Sequence, residues 1–406
     1  MRRFNTFVGM VALVAAACSE ETSAPVDPTP PLLEPPAEGK GVQFSMVTTV
    51  EAGTEVEHCQ FVRAPAEGIN VNRDEVKYSG GSHHVLLYNT EYTEIPTVDE
   101  QGDTVDTSGV FDCSEGVNFR WKLTSLLAGS QNADGDSSIT FPENVAIKVK
   151  PNAVLLMNAH YINASGDAVQ PEAAINLHSI PDEQVEHEGG LLFWYNPFIK
   201  VAAKGGGLAQ MTCPLPSDVT LENAQSHMHK RGMGYEASLI APDGTREKLY
   251  ENSTWEAVPV ERWDGGLPVK AGSQIEFKCD YQNTEDRTIW QGPRTTDEMC
   301  MFIGSYWPAQ DHVSLCSTDP ENILDTQSMA AQWEGFGEAT CGDTLGCIQK
   351  IDQGSFDGFL QGLTDCIFES APEEGPYVSA GVSCLLTHAD PINECSAELQ
   401  ACLNHD

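Results

Sequence analysis

The chain has 406 residues, enough for two or three domains that each bury a core. Its 60 Asp and Glu against 22 Lys and Arg give a formal charge of −38, which a phosphate backbone or an anionic lipid surface would repel, so a nucleic-acid partner is excluded. An apolar content of 40%, with 7 Trp and 35 Gly, excludes disorder throughout and puts the acidity on a solvated surface.

In chain order, Arg2 and Arg3 precede an apolar run from Phe7 to Ala17 that ends at Ala15-Ala16-Ala17-Cys18-Ser19. The run is about half the ~20 residues a bilayer crossing needs, so residues 1–17 read as a signal peptide and not as a membrane helix. Small residues directly before a cysteine resemble the bacterial lipobox. That resemblance implies an acylated Cys18 and a lipoprotein of the cell envelope, with Ser19 favouring the outer membrane and the lipid as the one membrane contact. An ordinary signal peptide with an incidental Cys18 is the alternative. The 12 other cysteines are even in number and in an exported chain read as disulfides. No CxxC pair occurs, so neither a zinc ribbon nor a thioredoxin-like redox site is supported.

Residues 18–38 are rich in proline and acid and read as an extended tether. From there to about Cys316, period-2 alternation dominates: Ile275, Phe277, Cys279 and Tyr281 alternate with polar neighbours. Val154 to Ile162 is a second strand, and Tyr235–Ile240 and Glu247–Tyr250 flank a Pro-Asp-Gly turn. Many short strands and few helical runs predict a mainly β chain with two tandem antiparallel, jelly-roll-like β-sandwiches. They are placed at residues 39–182 and 183–325. Residues 326–406 change character: six cysteines interleave with helix-like stretches at Phe356–Phe368 and Ile392–Leu403. This predicts a small disulfide-stapled helical module whose pairing the sequence leaves open.

Three histidine groups carry candidate chemistry: His83-His84 behind Gly80-Gly81, His160 in a strand, and His227-Met-His229. Residues i and i+2 of a strand share a face, so His227 and His229 suit one metal ion. Adjacent His83 and His84 would point apart on a regular strand, and sharing an ion requires a distorted backbone. Imidazole suits copper, zinc, iron or nickel; a thioether such as Met299, in Asp-Glu-Met-Cys, favours copper as Cu(I). Taken singly, each has a plain structural explanation, and His58, His178, His187, His312, His388 and His405 have no partner at ligand spacing.

The ordered combination resembles the copper type II, ascorbate-dependent monooxygenases, the family of peptidylglycine α-hydroxylating monooxygenase and dopamine β-monooxygenase. The resemblance runs from about Lys40 to Ala309. It implies one copper on His83, His84 and His160 in the first domain. A second copper, catalytic, would sit on His227, His229 and Met299 in the other, where dioxygen is activated and a C–H bond of a small molecule or peptide is hydroxylated. The implied co-substrate is ascorbate or another one-electron reductant. The implied disulfides are Cys59–Cys113, Cys279–Cys300 and Cys213–Cys316, with the tail cysteines pairing among themselves. Where the peptide-amidating branch has an Arg and a Tyr that hold a peptide carboxylate, this chain has Gln225 and Ile303, the candidate substrate contacts. The alternative is a non-catalytic copper-binding envelope lipoprotein. Its 10 Met and 11 His are scattered, unlike the Met/His-rich runs of a buffer. Adhesion through the sandwiches would leave the six ordered ligands unexplained.

Overall fold

The computed structural model describes residues 30–132, 139–314, 316, 331–351, 355–387 and 394–405. The signal peptide, Cys18 and His388 lie outside them. The first half contributes β1 (Gly41–Val47), β2 (Glu55–Arg63), β3 (Ile69–Tyr78), β4 (Ser82–Thr90), β5 (Phe111–Asp112), β6 (Leu123–Ser130), β7 (Val145–Val149), β8 (Val154–Ile162), β9 (Glu172–Ser179) and β10 (His187–Glu188). They form two sheets, ordered β1-β9-β3-β7-β10 and β5-β2-β8-β4-β6. All pairs are antiparallel except β7 with β10. Val71, Val76 and Ile175 from one sheet and Phe61, Val85, Leu87 and Met157 from the other share one core.

The second half contributes β11 (Gly190–Tyr195), β12 (Lys200–Val201), β13 (Gly206–Leu215), β14 (Val219–Met228), β15 (Gly232–Ile240), β16 (Arg246–Asn252), β17 (Glu261–Val269), β18 (Ser273–Gln282), β19 (Ile289–Trp290), β20 (Cys300–Trp307) and β21 (Gln332–Trp333). Its two larger sheets run β11-β20-β14-β17 and β16-β15-β18-β13-β21. Alternation in β18 translates directly into burial: Ile275, Phe277, Cys279 and Tyr281 enter the core while their neighbours face outward. By contrast, β8 and β14 are buried almost throughout. One face of β8 carries core residues Leu155, Met157, Ala159 and Tyr161, and the other carries Asn158 and His160. The histidine-bearing strands are therefore covered on both sides.

Both ends of the described chain pack against the sandwiches. The tether does not extend to residue 38: Leu33 is buried, its carbonyl accepts from Gln43 Nε2 at 2.9 Å, and Asn176 Nδ2 donates to the Glu34 carbonyl at 2.8 Å. Residues 32–406 make one compact unit. The tail is the expected small disulfide-stapled helical region. Its helices, Cys341–Ile348, Phe356–Glu369, Gly375–Thr387 and Ser396–Leu403, are stapled by Cys341–Cys402, Cys347–Cys366 and Cys384–Cys395. Yet Trp333, Leu345, Leu363, Ile367, Val378 and Val382 join the core of the second half. Trp333 meets the Phe198 ring edge-on at 4.6 Å. So short a segment buries little core on its own, and sharing one offsets that. Thr340 and Ser355 cap two of the helices by accepting from the backbone N–H of Asp343 and Gly358.

Candidate metal centre

The chain turns from one sheet of the first sandwich to the other at Ser79-Gly80-Gly81, and Gly81 sits at φ 93°, a conformation that suits glycine. Immediately after it β4 slips: Ser82 pairs with Tyr161 and His84 with His160, leaving His83 as the extra residue of a bulge. Two neighbouring histidines thereby reach the same side. The ring centroids of His83 and His84 lie 5.5 and 5.2 Å from that of His160 and 5.4 Å from each other. On β14 and the residue after it, His227 and His229 share a face with rings 5.3 Å apart.

The family resemblance assigned these histidines to two sets in separate domains. The structure places all five side by side. His83 lies 5.6 Å from His227 and 6.0 Å from His229, and His84 lies 5.9 Å from His227. His83, His84 and His227, drawn from both halves, present ligand atoms within 4.8 Å of one another. All five are at most 9% exposed. Burial, reinforced by the neighbouring rings, pushes His83 down to about 3, His229 to about 4, and His84 and His227 well below the usual imidazole range. Neutral imidazoles keep a free lone pair, which is the form a metal needs.

Hydrogen bonds decide which nitrogen is free. His160 Nε2 donates to Glu55 Oε1 at 2.9 Å, His227 Nδ1 to Gln131 Oε1 at 3.0 Å, and His229 Nδ1 to the Asp297 carbonyl at 3.2 Å. Opposite these, His160 Nδ1 and His229 Nε2, with His83 Nε2 and His84 Nδ1, are buried without any hydrogen-bond partner. Unpartnered buried nitrogens are costly, and four of them within one histidine cluster fit a metal ion. The carboxylate on His160 is the usual outer support of a metal-binding imidazole.

Met299 is half-buried on the loop before β20, its carbonyl accepting from Tyr281 Oη at 2.7 Å. Beside it, Glu298 is fully buried and accepts from the backbone N–H of His229 at 3.1 Å and of Arg231 at 2.9 Å. This bond pair joins the Met299 loop to the end of the His-x-His strand. Gln225 and Ile303 pair across β14 and β20, both buried. Gln225 Oε1 accepts from Gln131 Nε2 at 3.0 Å. The Trp255 ring is tilted against that of His83, with centroids 5.3 Å apart.

The implied disulfides Cys59–Cys113, Cys213–Cys316 and Cys279–Cys300 are formed. The other histidines have structural partners where described. His58 bonds Thr48, His178 bonds Glu75, His187 stacks on Trp307 and His405 bonds Glu374; His312 is buried. Glu55, Gln131, Thr295 and Trp255 were not legible as site residues. Glu55 and Gln131 stand 105 and 96 positions from the histidines they hold, so no local spacing marks them.

Residues 206–327 match the family model described as copper type II ascorbate-dependent monooxygenase, C-terminal domain. A human relative, "Putative DBH-like monooxygenase protein 2", is 24% identical over 264 residues, covering 59% of this chain and 50% of that protein. The chain thus spans half the length of that relative. Among solved structures, infectious bursal disease virus Gx strain aligns at 10% identity over 66% of this chain and 78% of that one, with a TM-score of 0.16. The tandem CBM22 domains of Paenibacillus barcinonensis Xyn10C align at 11% identity over 65% and 82%, also at 0.16. Scores this low carry no argument about the fold.

Proposed function

We infer, from a chain whose residues 206–327 belong to the copper type II ascorbate-dependent monooxygenase family, that the histidine cluster holds copper and that the protein hydroxylates a C–H bond. The substrate would be a small molecule or peptide, with O2 and ascorbate or another one-electron donor as co-substrates. The observation that carries this reading is the set of four buried, unpartnered imidazole nitrogens with a methionine on the adjoining loop. Copper, when bound, supplies the one-electron redox chemistry that O2 reduction requires, and the histidine and thioether donors suit it.

The chain's own contribution is positional. Gln131 and Asp297 hold protons on the Nδ1 atoms of His227 and His229, so that each offers Nε2. Glu298 fixes the Met299 loop against that pair. Burial excludes water and keeps the imidazoles of His83, His84, His227 and His229 neutral. At the positions where the amidating branch grips a carboxylate, Gln225 and Ile303 offer no cation, which favours substrates without a free carboxylate. We place the protein in the bacterial envelope, lipid-anchored at Cys18, on the sequence alone.

Two coppers per chain are expected after reconstitution, and a stoichiometry of one would contradict the two-copper assignment. The test of function is copper-loaded protein with ascorbate and O2, screened against a metabolite extract for products that gain one oxygen atom. Copper uptake without any such product, at an O2 consumption no higher than free copper gives, would favour the copper-binding alternative.

A further inference from the structure

Glu55 opens β2 in the first sandwich, yet its carboxylate faces two ways. Oε1 accepts from His160 Nε2 at 2.9 Å and from the backbone N–H of Thr295 at 2.7 Å, while Oε2 accepts from Thr295 Oγ1 at 2.9 Å. Thr295 belongs to the second half and is 7% exposed. It sits four residues before Met299 and two before Asp297, whose carbonyl fixes His229. One carboxylate therefore touches a histidine of the first half and the loop that carries the methionine and orients a histidine of the second.

Hydrogen bonds in this cluster divide by what they control. Glu298 holds the Met299 loop from within its own half, through the backbone of His229 and Arg231. Glu55 holds the same loop from the other half. A carboxylate accepts and does not donate, so the nitrogen of His160 that faces it must carry the proton. The partnerless Nδ1 is then the atom left for a metal. Were Glu55 a mere adhesive between domains, the bidentate contact with Thr295 would suffice, and nothing would require the bond to His160.

We propose that Glu55 is a positioning residue that sets the tautomer of His160, presenting Nδ1 to copper, and ties that histidine to the Met299 loop through Thr295. The proposal rests on the copper reading only in naming the metal; the tautomer is a property of the protein without metal.

The experiment uses the full-length apo protein labelled with 15N-histidine, with His160 assigned by comparison with His160→Gln. Two-bond nitrogen–proton correlations are expected to show His160 as the Nε2–H tautomer in wild type and as a mixture in Glu55→Gln. Copper retention of Glu55→Gln in competition with a chelator should fall by about 10- to 100-fold, the range usual for loss of an outer support. Thr295→Val keeps the bond to His160, so its tautomer should stay Nε2–H. An Nδ1–H tautomer in wild type overturns the proposal even if Glu55→Gln fails to fold. So does an unchanged tautomer with copper retention within twofold of wild type in a folded Glu55→Gln. The expected tautomers in a protein that yields no hydroxylated product would refute the monooxygenase reading and leave this one standing.

Discussion

A single residue can hold a ligand without being one, and Gln131 is the clearest case. It accepts from His227 Nδ1 at 3.0 Å while its amide donates to the Ser226 carbonyl at 2.6 Å and to Gln225 at 3.0 Å. Replacing it by Leu leaves the shape and removes all three bonds. Copper affinity should drop by about 10- to 100-fold, with a stability loss of about 1–3 kcal/mol. Chelator competition and denaturant titration read the two effects, and unchanged affinity would deny Gln131 its role. A second residue supplies a pH signature away from the cluster. Burial raises the Glu222 carboxyl above its ordinary range, against the opposing hydrogen bond from Trp307 Nε1. A raised folded-state value means the native protein holds this proton more tightly than the unfolded chain. The stabilisation is therefore present below the ordinary carboxylate range and is lost as pH rises through the folded value. Unfolding free energy of wild type minus Glu222→Gln should fall with rising pH above about 4.5; a flat or rising difference would contradict this. At this scale the histidines were readable because their spacing is local. Their partners were not, since Glu55 and Gln131 meet them only after the chain has folded back.

The bulge and the tail show which elements the sequence disclosed. Alternation located β18, which buries one defined face, and a Pro-Asp-Gly turn marked β15 and β16 on either side of it. Adjacent histidines behind two glycines also implied a break in regular pleating, and the slip at His83 is that break. Gly81 is the test: its φ of 93° and the Ile162 carbonyl 3.3 Å from any added Cβ make Gly81→Val strained by about 1–3 kcal/mol. Loss of copper at His83 and His84 should accompany it. Gly80 has nothing within 4 Å of an added Cβ, so Gly80→Ala should stay within about 0.5 kcal/mol of wild type. Equal effects of the two would place the distortion elsewhere. The tail was read as a small module because its six cysteines interleave with helix-like stretches, and that local pattern carries no sign of the core it shares with the second half. Trp333→Ala should cost about 3–5 kcal/mol and lower one common unfolding transition. Two separate transitions, with only one of them shifted, would restore the independent module.

Taken whole, a molecule at −38 repels itself, and its 22 Lys and Arg against 60 acids leave most carboxylates without a cation. Raising ionic strength from 0.01 to 0.15 M shortens the screening length from about 30 to about 8 Å. The melting temperature should rise with it, whereas a fall would mean that surface pairs such as Lys270–Asp218 and Arg63–Glu94 outweigh the repulsion. The same scale explains why the two ligand sets meet. β4 and β8 bring three histidines from the first half, β14 and the residue after it bring two from the second, and Glu55 and Gln131 reach across between them. Sequence order located each set, but only the packing of the halves could show them adjacent. The central claim is that this joint cluster, completed by Met299, hydroxylates a substrate. Met299→Ile keeps volume and apolarity, so it should cost less than about 1.5 kcal/mol while removing the thioether. The decisive measurement is 18O incorporation from 18O2 into organic product, with copper, ascorbate and a metabolite extract, in wild type and Met299→Ile. The account predicts one labelled oxygen per product molecule in wild type and almost none in a folded, copper-binding variant. Equal O2 consumption by both proteins, with no label in any organic product, would contradict it.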